Sequence, residues 1–153
     1  MIMKWHKMFV HSLTLLQAPF LLVIRLYWGW QLFATGKGKL GNIPKIIEYF
    51  NSLDIPLASF NAYLVGITEF TGGLLLLLGL GSRVAVIPVI IAMTVAYLTA
   101  DLDAIKALFS EPALFAQAAP FPFLMTSLIV LIFGPGAFSV DTLVAKFFRR
   151  KQE

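Results

Sequence analysis

Cysteine is absent from all 153 residues, and with it go disulfides, thiolate-bound metals, iron–sulfur ligation and dithiol redox chemistry. Histidine is nearly absent. His6 and His11 both precede the first long apolar run, so no pair of intramembrane imidazoles is available to hold a haem and a cytochrome b is excluded. Charge is scarce as well. Asp, Glu, Lys and Arg make up 13% of the chain, against about a quarter in soluble domains. What fills the space is apolar: 59% of residues are hydrophobic and the mean hydropathy is +0.84. The chain therefore reads as an all-α integral membrane protein whose first partner is the lipid bilayer. Neither a metal site nor a nucleic-acid partner is expected.

A spanning helix needs about 20 mostly apolar residues, so the length admits about four spans and no large soluble domain. The gaps between charges place them near 19–35, 59–80, 84–100 and 120–134, as a single four-helix transmembrane bundle over 1–153. Pro19 suits a first helical turn, and Gly36-Lys37-Gly38-Lys39 closes the first span. Residues 1–24 do not read as a cleaved signal, because Gln17 and Pro19 interrupt the apolar run and Arg25 follows at once. With four spans, one side carries Lys4, Lys7, Arg83, Lys146, Arg149, Arg150 and Lys151. The other carries Lys37, Lys39, Lys45 and Lys106. The positive-inside rule then puts both termini in the cytoplasm.

Two shorter amphipathic stretches belong at the interface. Val140, Leu143, Val144, Phe147 and Phe148 keep helical spacing while Lys146, Arg149 and Arg150 take the other face, with Ser139 as N-cap. This helix, near 140–150, suits anionic lipid headgroups. After Pro44, the set Ile43, Ile46, Ile47, Phe50 and Leu53 predicts a second surface helix, either plainly interfacial or a lid over the bundle.

Arg25 and Glu69 are the charges inside otherwise uncharged apolar stretches. A charge in a bilayer costs roughly 2.5 to 3.5 kcal/mol on insertion scales, and such residues mark functional sites by default. Arg25 shares a helix face with Trp28, Gly29, Leu32 and Gly36, while Glu69 sits in a small-residue stripe of Ala62, Gly66, Gly72 and Gly73. At about 1.5 Å per residue, roughly 6 Å would separate the two charges along the membrane normal, within the reach of arginine. They are expected to form an ion pair or a ligand or proton site. Arg25 reaching the cytoplasmic interface is one alternative. Another is Lys39 as the partner of Glu69, although a cation there also suits the helix C-terminus. Tyr97 and Asp101 can extend a polar path outward, or serve only as an interfacial aromatic and a loop carboxylate. Tyr27, Trp28 and Trp30 can stack on a flat ring such as a quinone, or simply pack.

In order and spacing the chain resembles the DoxX family of small four-helix bacterial and archaeal membrane proteins over about residues 20–145. The resemblance rests on Arg25 with Gly29, Gly36-Lys37-Gly38-Lys39-Leu40, and Ile55-Pro56. It continues through Glu69-Phe70-Thr71-Gly72-Gly73-Leu74, Leu78-Gly79-Leu80 with Arg83, and Gly134-Pro135-Gly136 followed by Ser139-Val140-Asp141. It implies a four-helix bundle in the bacterial or archaeal inner membrane with cytoplasmic termini, and a polar interior involving Arg25, Glu69 and, more loosely, Lys39. The family takes its name from subunits of quinone-linked respiratory complexes, including thiosulfate:quinone oxidoreductase. The expected function is thus a subunit of a quinone-linked redox system, with a quinone as the ligand, no intrinsic cofactor and a partner subunit carrying the electron centre. Arg25, Trp28 and Glu69 would bind the ring; no residue is assigned a catalytic role. The alternative is a membrane scaffold or assembly factor without redox chemistry; under either reading further copies of the chain, as a homo-oligomer, are a candidate partner. A transporter ranks last, since no proline breaks the second span near Glu69 and no internal repeat is present.

Overall fold

The computed structural model describes residues 2–150, with the side chains of 2–8, 10–12 and 150 outside the description. The readings that involve the side chains of Lys4, His6, Lys7, His11 and Arg150, and all of Lys151, therefore lie outside the described residues. Among the described residues eight helices follow in order: α1 (Ile2–Leu40), α2 (Ile43–Ser52), α3 (Ala58–Leu78), α4 (Ser82–Thr99), α5 (Leu102–Lys106), α6 (Pro112–Gln117), α7 (Phe121–Phe133) and α8 (Val140–Arg150). Three contain stretches long and apolar enough to cross a membrane: Leu13–Leu40, Ala58–Leu78 and Ser82–Thr99. The fold is an all-α membrane bundle of α1, α3, α4 and α7. Its apolar centre is Leu32, Val89 and Met93 at one level and Leu76, Val86 and Val130 at another.

Two boundaries differ from the sequence expectation for local reasons. Pro19 lies inside α1 rather than in its first turn, and the helix continues through Gly36-Lys37-Gly38-Lys39 to Leu40. Intramembrane helices tolerate an internal proline because the freed backbone groups find other partners. Glycine ends helices in water but, in a membrane bundle, also permits close packing, and Gly36 is buried against α3. The fourth apolar stretch is split. Ala118 is extended (ψ 141), Pro120 and Pro122 restart the chain, and α7 has 13 residues, about 20 Å at 1.5 Å per residue. That is short of a hydrocarbon core of roughly 30 Å.

The contact between α1 and α3 sets the register of the bundle. A Cβ added at Gly36 would fall on the backbone of Glu69 and Phe70, and one at Gly73 on the backbone of Phe33 and Gly29. Neither can be relieved by moving a side chain, so the backbones meet only where both positions are bare. We expect Gly36→Ala to lower unfolding stability in detergent by about 2 kcal/mol through overpacking; a midpoint equal to that of the parent would remove this account of the register.

The same register explains α2. A Cβ at Gly66 would touch the Leu40 side chain, so α1 ends facing a point eight residues into α3 from Ala58. The first two turns of α3 thus extend beyond α1. Pro44, at the start of α2, turns the chain across the space left over. α2 packs on α3 and presents Ile46 and Phe50 inward, acting as a roof. At the opposite end α8 begins with the predicted cap, as Thr142 N–H donates to Ser139 Oγ at 3.2 Å.

Candidate functional site

Arg25 and Glu69 do not pair. Gly36 abuts Glu69, so Arg25, eleven residues earlier on α1, is roughly 16 Å away along the helix axis. A depth counted from Pro19 and from the ends of the apolar runs does not report the register of two packed helices.

Arg25 is 1% exposed and is bonded to main-chain carbonyls. Nε donates to Leu76 O at 3.0 Å and Nη2 to Leu77 O at 3.2 Å, both at the C-terminal end of α3. Nη1 donates to Phe138 O at 3.1 Å and also to Pro135 O, in the α7–α8 connection. Terminal carbonyls of a helix lack intrahelical partners and carry partial negative charge, and a guanidinium has the fork of donors to serve several at once. Gly79, with φ +69, ends α3 beneath this group, and a Cβ there would collide with the guanidinium. Asp141 closes the same junction from α8, its carboxylate accepting from Gly81 N–H (2.7 Å) and Ser82 N–H (3.2 Å) at the start of α4. This end of the bundle is an arginine-centred lock, with an open groove of about 490 Å³ lined by Gly81, Arg83, Pro135 and Asp141 beside it.

The intramembrane ion pair is Lys39–Glu69, Nζ to Oε1 at 2.5 Å. Lys39 stands at the end of α1, where the helix dipole favours a cation, and three residues beyond Gly36 on the face turned to α3. Glu69 is 3% exposed. Its Oε2 receives no hydrogen bond from the described residues.

Both residues line a cavity of about 600 Å³ beneath α2. Tyr49 and Phe50 of α2, Ala92, Met93 and Ala96 of α4, and Phe123 of α7 supply its mostly apolar walls, with Asp54 and Asp101 among the lining carboxylates. Ligand sites run from about 300 to 1,000 Å³ with a few placed polar groups, and this cavity has that character. Asp54 and Leu57, at φ 54 and 51, are non-glycine residues with positive φ, both in the segment joining α2 to α3. Such backbone is costly and persists where surrounding structure imposes it.

Of the other residues singled out from sequence, Asp101 lines the cavity and Tyr97 does not. Tyr97 is 2% exposed; its hydroxyl donates to Phe115 O at 2.7 Å and its ring stacks on Phe115 at 4.5 Å. It ties α4 to α6. Trp28 lines a separate groove between α1, α6 and α7 of about 480 Å³ and makes an edge-on contact with Phe123 of the cavity wall at 5.9 Å. Sequence reasoning missed Tyr49, Asp54 and Phe123. The amphipathic spacing after Pro44 was the signal for the roof; nothing local marks Phe123.

A family model named DoxX matches residues 20–102, more than half of the chain, and that stretch includes Arg25, Lys39, Glu69 and Asp101. A Bacillus subtilis (strain 168) protein named "Putative oxidoreductase CatD" is 29% identical over 125 residues, covering 82% of this chain and 87% of that one. A Mycobacterium tuberculosis protein named "Uncharacterized membrane protein Rv3486" is 34% identical over 103 residues, with 63% of each chain covered. No solved structure matches. With an all-α membrane bundle and this family match in hand, the chain belongs to the DoxX family.

Proposed function

We propose that the protein is a subunit of a quinone-linked membrane redox system and that its cavity holds a quinoid ring beside Lys39 and Glu69. The observation that carries the reading is a part-buried ion pair, with Glu69 the buried partner, lining a mostly apolar cavity of about 600 Å³, a size and polarity suited to one flat, weakly polar ring. Lys39 has N–H groups beyond the one directed at Glu69 and can donate to a ring oxygen. Glu69 is placed to exchange the proton that accompanies reduction. The name of the Bacillus subtilis relative, an oxidoreductase, agrees. With no cysteine in the sequence, the electron centre is assigned to a partner subunit carrying a flavin or metal group. Compared with the sequence expectation, Lys39 replaces Arg25 at the ring.

Purification from native membranes in mild detergent, followed by extraction and mass spectrometry, tests this. Quinone is expected with the parent protein and with Phe133→Ala, and is expected to fall at least tenfold in Glu69→Gln. No quinone in any sample would transfer the weight to the scaffold reading, which the Arg25 lock favours as a device that holds helices together.

The proposed setting is the bacterial or archaeal inner membrane, with both termini in the cytoplasm and α2 on the far side. A chain without cysteine makes the orientation directly measurable. Ser52→Cys at the end of α2 should react with a membrane-impermeant maleimide on intact cells, and Lys146→Cys on α8 only after lysis; both positions are exposed. The reverse pattern would invert the topology.

A further inference from the structure

The two oxygens of Glu69 are unequally served, and this bears on which redox form of a ring the cavity favours. Oε1 accepts from Lys39; Oε2 is buried and receives no bond from the described residues. Two lining side chains that could donate each already direct a donor to a main-chain carbonyl. The Thr35 hydroxyl donates to Leu32 O at 2.8 Å and the Asn61 amide to Pro56 O at 2.7 Å. A buried acceptor without a donor is costly, and more so when charged. A ligand that brings a donor to Oε2 relieves that cost, and one that brings only acceptors does not.

The rest of the cavity narrows the class. Asp54 and Asp101 in its lining disfavour an anionic ligand. Ala92 and Ala96 on α4 and Ala100 just past its end, spaced by four, all line the cavity and leave a low surface against which a flat ring can lie. An oxidised quinoid ring presents carbonyl acceptors alone, which suit Lys39 and leave Oε2 unserved. Its reduced form is neutral, flat and carries hydroxyl donors, which serve Oε2, while the hydroxyl oxygen can still accept from Lys39.

We infer that the cavity selects the hydroxyl-bearing, reduced form of a quinoid ring, with Glu69 Oε2 accepting the ring hydroxyl. The inference rests on the quinoid reading of the cavity and specifies its preferred ligand state.

The test uses three tail-less probes on the full-length protein in detergent, by equilibrium dialysis without oxygen: tetramethylhydroquinone, its dimethyl ether and tetramethylbenzoquinone. The three share one ring, and only the first has a donor. The hydroquinone is expected to bind roughly tenfold or more tightly than the other two, the difference of one hydrogen bond to a charged acceptor. That preference should vanish in the double variant Lys39→Leu/Glu69→Leu. Comparable binding of all three to the parent, or a preference for the quinone, overturns the inference while leaving the quinoid reading in place. Binding of none of them removes the quinoid reading, and the inference with it. The comparison within the parent protein decides the matter even if the variant fails to fold.

Discussion

Arg25→Leu is expected to lower the unfolding stability of the purified protein by about 3 kcal/mol or more, enough to reduce folded yield sharply. Leucine leaves the carbonyls of Leu76, Leu77, Pro135 and Phe138 without the donors they now have, and an unserved buried acceptor costs about 1 to 3 kcal/mol. Some of these carbonyls would gain water or shift, so the costs do not simply add. Arg25→Lys should fall between parent and leucine variant, because a compact ammonium keeps the charge but cannot span carbonyls on two segments as the planar fork does. The readout is the denaturation midpoint in mild detergent followed by far-ultraviolet circular dichroism. A leucine variant within about 1 kcal/mol of the parent would show that the lock is ornamental, and removing one group of an otherwise redundant junction does cost that little.

The second large effect is a contrast between variants. Lys39→Leu should destabilise by about 3 kcal/mol, since it strands the Glu69 carboxylate without its partner, and broken buried pairs cost about 3 to 5 kcal/mol. The partial exposure of Lys39, whose side chain is 31% accessible, places the expectation at the lower end. Lys39→Leu/Glu69→Leu should recover most of the loss, because two apolar residues of similar bulk need no mutual pairing. A double variant no better than the single would mean that the pair stabilises the bundle in its own right. Recovery, with ligand binding lost, separates function from folding at this site: the pair is then dispensable to the fold and retained for the cavity.

Arg25 and Lys39 behave differently because of where they meet α3. Arg25 reaches the helix where its carbonyls are open, and Lys39 reaches it mid-helix, where the backbone is satisfied and a carboxylate is the available partner. Arg25 is buried and closes a helix end, whereas Lys39 is part-exposed and lines a cavity. Arg83 repeats the first pattern on a smaller scale, donating from Nη2 to Ile132 O at 3.2 Å near the end of α7.

Membrane residence, the all-α bundle, the amphipathic α8 and the two unusual intramembrane charges were legible in the chain itself. Each is a local property: hydropathy sums over a window of residues, amphipathic faces repeat every few positions, and an isolated charge stands out against its neighbours. Lys39 was visible too, but its depth was not. Gly36 and Lys39 are equally compatible with a helix that stops and with one that continues, and only packing against Phe70 selects the second. The choice of partner for Glu69 turns on how α1 slides along α3, where one helical turn is about 5.4 Å and is enough to bring a different residue opposite the carboxylate. That register is held by backbone contacts at Gly29, Gly36 and Gly73, between residues far apart in sequence. The cavity follows from the same sliding: α1 ends short of α3, and α2 roofs the space between them. Local chemistry thus named the charged residues, while long-range packing chose their partners, because a side chain's partner depends on the relative position of two helices and neither helix encodes that position alone.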